Sequence, residues 1–192
     1  MTPENEIRSW TRHSEDDGAT YLCSTDPKLV QLDALGAALA SDMLWWAQPL
    51  AEDELRRTVE HSLCFGLYVI GQTTADGGNE DPSSPPLGKT GEMVGFARLI
   101  TDYATFGWLT DVYVLPEHRG RGLGQWLTMC LDEVVCAWPR LRRCMLMAGN
   151  PTTAKMYEST LGMNIVCEKG TGSGLLIMEK PGRVAITPKN HH

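Results

Sequence analysis

No stretch of the 192 residues reaches 18 consecutive apolar positions, the length a helix needs to cross a bilayer. The greasiest region, residues 34–50, is broken by Ser41, Asp42, Gln48 and Pro49. Six cysteines, at 23, 64, 130, 136, 144 and 167, form no CxxC pair and no Cys/His cluster with the spacing of a zinc site, so no metal is expected. Positive charge is scarce: 17 Lys+Arg stand against 24 Asp+Glu, a net charge of −7, which argues against a nucleic-acid or anionic-membrane surface. Residues 1–12 are polar and charged and lack the apolar core of a signal peptide. The expectation is six free thiols in a reducing compartment, the cytoplasm with the nucleus as the other option. Internal repeats are absent, and 42% apolar with 21% charged residues excludes wholesale disorder, collagen and coiled coil. The length suits one domain over residues 1–192, with core motifs at about 64–180 and a polar tail at 181–192.

The pattern predicts mixed α/β structure. Residues 20–24 read as a strand, and the first 19 as loop. From Leu29 the positions Val30, Leu32, Leu35, Ala38 and Leu39 recur at helical spacing, and a second helix is predicted over 51–63. Strands follow at 64–70, 93–101 and 107–115. Between the first two of these, residues 72–92 are rich in Gly, Pro, Ser and Asp and are expected to form a long mobile hairpin loop. An amphipathic helix over 123–138, a strand over 141–148, a helix over 151–161 and a strand pair at 165–168 and 174–179 complete a mostly antiparallel sheet flanked by helices.

Chemistry concentrates in Pro116-Glu117-His118-Arg119-Gly120-Arg121-Gly122-Leu123-Gly124, which lies between a strand and a helix. Glycines let a backbone approach a phosphate closely, and the N–H groups of a helix start have no partner of their own. The helix dipole adds a favourable field for an anion, and Arg119 and Arg121 add charge at the rim. A dinucleotide fingerprint beginning at Gly120 fails because Gln125 stands where a third glycine is required, and Gly88-Lys89-Thr90 fails as a phosphate loop because position 83 is serine.

Arg119-x-x-Gly122-x-Gly124 after Val112-Tyr113-Val114-Leu115-Pro116 resembles the acyl-CoA-binding motif of the GNAT superfamily of N-acetyltransferases. Asn150, Tyr157 and Leu161-Gly162-Met163 resemble that family's second motif, and residues 99–106 are similar to one branch of small members. The resemblance implies a GNAT fold in which two neighbouring parallel strands splay apart to admit acetyl-CoA (coenzyme A). It implies that the backbone of Val112, Tyr113 and Val114 bonds the pantetheine arm. The amides of Arg119, Gly120, Arg121, Gly122, Leu123, Gly124 and Gln125 then hold the pyrophosphate, with Asn150 and Tyr157 near the thioester.

Acetyl transfer needs a neutral amine, and only about one lysine-like amine in a thousand is neutral at pH 7.4. A tyrosine can protonate the departing thiolate, and Tyr157 is the candidate acid. For the base, the strand before the phosphate loop has no glutamate; Asp111, Asp102 and a water relay stay open. Alternation places Thr110, Val112 and Val114 on one face of that strand and Asp111 with Tyr113 on the other. Trp45, Trp46, Asp102 and Tyr103 are the candidate acceptor contacts, whereas His13, His61 and His118 receive no catalytic role. The leading expectation is an N-acetyltransferase of a small-molecule amine acting by direct ternary-complex transfer, as a monomer or homodimer. A protein lysine or N-terminal acetyltransferase and a non-catalytic acyl-CoA-binding module are the competing readings.

Overall fold

In a computed structural model the chain is described over residues 6–44, 46–72, 91–168 and 176–182. The strands are β1 (Ser9–His13), β2 (Ala19–Ser24), β3 (Leu63–Gln72), β4 (Glu92–Thr101), β5 (Phe106–Val114), β6 (Arg143–Ala148), β7 (Asn164–Glu168) and β8 (Leu176–Pro181). The helices are α1 (Leu32–Leu39), α2 (Glu52–Glu60), α3 (Leu123–Cys136) and α4 (Pro151–Leu161). All eight strands join one sheet in the order β1-β2-β3-β4-β5-β6-β8-β7. Every neighbouring pair is antiparallel except β5–β6.

The sheet carries a core on each face. Leu127, Leu131 and Val135 of α3 and Leu161 of α4 pack with Val94, Leu99 and Leu109 on one side. Leu35 and Leu39 of α1 and Leu55 and Val59 of α2 pack with Met93, Phe96 and Tyr113 on the other. This double coverage explains why β4 is buried at five successive positions, 93–97, instead of alternating. α3 follows its predicted stripe, because its apolar residues return every three to four positions. Truncating a fully buried anchor such as Leu131 to Ala would cost about 2–5 kcal/mol. α4 begins where Asn150 Oδ1 accepts from the Thr153 N–H at 2.9 Å, with Pro151 at its first position, and ends at Gly162 with φ 61°.

Three expectations are revised. β1 was expected to be loop; its outward residues are polar and it carries no apolar alternation, so it exists through its ladder to β2 and through Trp10, which packs on the core. The first helical region begins three residues later than Leu29, because Pro27–Leu29 is a separate 3-10 turn and Val30 is extended. The sixth strand starts at Arg143 instead of 141. The expected loop at 72–92 and the tail at 181–192 fall mostly outside the described residues.

Candidate active site at the split between two parallel strands

β5 and β6 pair from Phe106↔Arg143 to Leu109↔Leu146 and then stop, although both strands continue. Beyond Leu109 the β6-facing backbone of β5 therefore has no ladder partner, which opens a cleft. On its other edge β5 contains a bulge: the register with β4 passes from Arg98↔Thr110 to Phe96↔Tyr113, two residues on β4 against three on β5. Asp111, at φ 54°, is the residue in the left-handed region that accommodates the extra position.

The bulge changes the strand's phase. Leu109 belongs to the α3-side core and Tyr113 to the α1/α2-side core, although residues four apart on a regular strand share a face. The strict alternation expected for Thr110, Asp111 and Val112 is thereby corrected: Thr110 stands opposite Arg98 and Asp111 bonds the same arginine, so both occupy the α1/α2 side. Val112 and Val114 pack against the α3-side core.

Past the end of β5, Pro116–His118 turns the chain into Arg119, Gly120, Arg121 and Gly122. Gly120 and Gly122 adopt φ 81° and 68°, values that penalise any residue with a Cβ. Gly122 is the N-cap of α3 and has no side chain to cap it, and the first turn holds no acidic residue. Trp126 donates to the Gly122 carbonyl at 3.0 Å. Among the described residues the N–H groups of Leu123, Gly124 and Gln125 have no acceptor. A Cβ on Gly120 would meet nothing within 4 Å, which leaves open space over the turn. Free amides, space and the positive end of a helix dipole fit an anion such as a pyrophosphate.

The cations around the turn are disposed unequally. Arg121 is an ion pair with Asp17 at 3.0 Å and also donates to the Tyr21 hydroxyl and His118 Nδ1, so Asp17 balances its charge. Arg119 Nε donates to the Val114 carbonyl at 2.9 Å. Arg12, unmarked in the sequence because it lies on the unforeseen β1, donates to the Gly122 carbonyl at 3.3 Å. Among the described residues, Arg12 and Arg119 are therefore the cations at this turn without an anionic partner.

On the opposite face of the sheet a cavity of about 250 Å³ is lined by Leu35, Leu39, Trp46, Leu50, Leu55, Arg98 and Asp111. Arg98 Nε donates to Asp111 Oδ2 at 2.7 Å and Nη1 to Ser62 Oγ at 3.4 Å, while the Thr110 hydroxyl donates to Asp111 Oδ1 at 3.1 Å. Sequence reasoning passed over Arg98, yet a lone cation inside the apolar run MVGFARLIT signals a buried charge that needs a partner. Trp46 is half-exposed at the cavity edge, and Trp45 lies outside the described residues.

Tyr157 lies on the α3/α4 side, 5% exposed, and burial pushes its hydroxyl up to about 12 from an ordinary value of 10.0, so it stays protonated. That hydroxyl makes no hydrogen bond among the described residues. Asn150 is engaged in capping α4. α4 runs beside the start of α3: Met156 Sδ is 4.0 Å from where a Gly124 Cβ would be, and the Thr128 and Thr160 hydroxyls are 3.1 Å apart.

Asp102 and Tyr103 are not brought to this site. They lie in the β4–β5 turn, beyond Phe106, the end of β5 that is eight residues and about 26 Å of strand from Val114. Asp102 accepts from the Thr105 hydroxyl and from the N–H groups of Ala104, Thr105 and Phe106, which hold its carboxyl below the usual range. Tyr103, at φ 58°, packs on Trp138 at 6.3 Å between ring centres. Cys144 is fully buried, and desolvation raises its thiol to about 12 from 9.0, which disfavours it as a nucleophile. No cluster of metal-ligating side chains occurs among the described residues, and no described helix is long and apolar enough to cross a membrane.

The family model of the GNAT acetyltransferases matches residues 42–163. A Gibberella zeae protein with the curated name "Putative acetyltransferase FG08082" is 43% identical over 179 residues, 91% of this chain and 94% of that one. A GNAT-family protein of Xanthomonas campestris pv. campestris, solved by crystallography, is 34% identical, with TM-score 0.51 over 72% of this chain and 82% of its own. The spermidine N-acetyltransferase of Vibrio cholerae, solved with CoA and spermine, shares the fold at TM-score 0.57 and 13% identity, over 91% and 95% of the two chains. Split strands, an uncapped glycine turn and these similarities agree: the chain belongs to the GNAT family of acetyltransferases, acyl-transferring enzymes that use acetyl-CoA.

Proposed function

We propose that this protein transfers the acetyl group of acetyl-CoA to the primary amine of a small molecule, directly within a ternary complex and as a single catalytic domain. The observation that carries the reading is the meeting of two features at one point. The backbone of β5 loses its β6 partner just after Leu109, and Asp111, two residues on, forms part of the cavity floor on the other face.

When bound, the cofactor supplies the activated thioester. The N–H groups of Leu123, Gly124 and Gln125, with Arg12 and Arg119 at the rim, hold its pyrophosphate. The β5 backbone beyond Leu109, which has lost its β6 ladder partner, receives the pantetheine arm at Val112, Tyr113 and Val114 along the cleft. Asp111 attracts the acceptor's ammonium group to the end of that cleft, and its proton leaves to the carboxylate or to water. The Tyr157 hydroxyl, without another hydrogen-bond partner among the described residues, protonates the departing thiolate from the α4 side. The limited cavity between α1, α2 and the sheet suits a small molecule better than a folded chain.

The test is incubation with acetyl-CoA and a panel of amino acids, amino sugars, arylamines, polyamines and peptides, with products read by mass spectrometry. Acetylated small amines are expected. Acetylation of peptides alone would refute the small-molecule assignment, and cofactor binding without any product would refute transfer.

A further inference from the structure

The acceptor cavity contains two charged side chains, and they are in contact: Arg98 and Asp111, 2.7 Å apart. Its remaining lining is apolar or neutral, with leucines on α1 and α2, Trp46, Ala47, Gln48, Leu50 and Thr58. The cavity is thus neutral overall but strongly dipolar at its floor. A polyamine would find one carboxylate already opposed by a guanidinium and no further anion among the described lining residues. A plain apolar amine would leave the arginine unused.

Arg98 has capacity to spare. Nε is committed to Asp111 and Nη1 makes one long bond to Ser62, while Nη2 has no hydrogen bond among the described residues. The side chain lines the cavity and is 18% exposed, so its remaining N–H groups are largely removed from bulk water. A planar guanidinium in that position is suited to a carboxylate, which it grips with two parallel bonds.

We propose that the acceptor is an α-amino acid with an apolar or aromatic side chain. Its ammonium lies on Asp111, its carboxylate on the Nη end of Arg98, and its side chain against Leu35, Leu39 and Trp46. This assignment rests on the reading of the cavity as the acceptor site. An α-amino acid carries its ammonium and its carboxylate on the same carbon, so it can lie antiparallel to the Arg98–Asp111 pair and satisfy both. Arg98 is then a specificity-determining residue as well as the counter-ion of Asp111.

The experiment compares L-phenylalanine, L-phenylalaninamide, phenethylamine and spermidine as acceptors with saturating acetyl-CoA, and measures their binding to the CoA-loaded protein by calorimetry. The expected kcat/KM for phenylalanine exceeds that for phenethylamine by about 10–100-fold, as for the loss of a charged hydrogen-bond pair. Phenylalaninamide should behave as phenethylamine does. Arg98→Lys, which keeps the charge opposite Asp111 but loses the fork, should reduce that preference at least tenfold while phenethylamine turnover changes less.

Equal turnover of phenethylamine or spermidine by the parent protein would overturn the amino-acid assignment and leave acetyl transfer standing. Selective binding of phenylalanine without acetylation of any amine would support the assignment and overturn the transfer reading. Failure to bind or acetylate any of the four while CoA binds would overturn both.

Discussion

Replacing Asp111 by Gly should leave a more stable protein than replacing it by Ala, the reverse of their usual order in a strand. Both variants lose the carboxylate and strand the Arg98 guanidinium, whose ion pair is mostly buried at 18% and 11% side-chain exposure. Removing one partner of a fully buried pair costs about 3–5 kcal/mol, and partial solvation brings this to about 2–4 kcal/mol for either variant. The variants then differ only in backbone terms. Alanine at φ 54° carries the left-handed penalty of about 1–2 kcal/mol, whereas glycine loses about 0.5–1 kcal/mol more conformational entropy on folding. The difference favours Gly by about 0.5–1 kcal/mol, or roughly 1–4 °C in Tm for a chain of this size. Urea unfolding followed by tryptophan fluorescence, with matched slopes, would measure it. An Ala variant as stable as the Gly variant, or more so, would refute the bulge geometry and with it the placement of Asp111 on the cavity floor.

Gly122→Val should lower CoA affinity at least 100-fold by calorimetry, because a β-branched residue cannot hold φ 68° and the amides behind it would shift, at a stability cost of about 1–2 kcal/mol. Tyr157→Phe should reduce kcat by about 10–100-fold with CoA affinity unchanged, since the hydroxyl makes no hydrogen bond among the described residues. On the alkaline side, the thiols of Cys64 and Cys144, both raised by burial to about 12 from 9.0, contribute stability that is intact below pH 9 and lost as pH climbs towards 12. Equilibrium unfolding from pH 7 to 11 should therefore be flat and then fall. On the acid side, Asp17 is depressed to about 2 from 3.8, first by the Tyr21 hydroxyl that donates to it and also by Arg121. Its contribution is present above pH 4 and fades towards pH 2, a limb that Asp17→Asn should remove from the same titration.

How much of the site was legible depended on whether its geometry is local. Gly120, Gly122 and the uncapped start of α3 could be read from the chain because a turn followed by a helix is defined by neighbours in sequence. Asn150 before Pro151 was legible for the same reason, as a cap and a first helical residue. Trp46 was singled out as an adjacent pair with Trp45, and it lines the cavity that holds Arg98 and Asp111. Arg98 was overlooked because its value comes from Asp111, thirteen residues away across a hairpin. Arg12 was overlooked because β1 has no apolar alternation to announce it, and it reaches Gly122 only through the β1–β2 ladder. Asp102 and Tyr103 were candidate acceptor contacts, but that turn closes on itself: the carboxylate of Asp102 satisfies four donors of its own loop.

The sequence alone determined the order of helices and strands from β2 onward, the amphipathic face of α3 and the glycine turn that starts it. Hydrophobic period, glycine placement and capping are properties of contiguous residues. Tertiary structure decided where the β5–β6 ladder stops, which face Asp111 occupies and which arginines are free. A one-residue bulge reverses the phase of a strand, and an ion pair between distant residues removes a charge that composition would count as available.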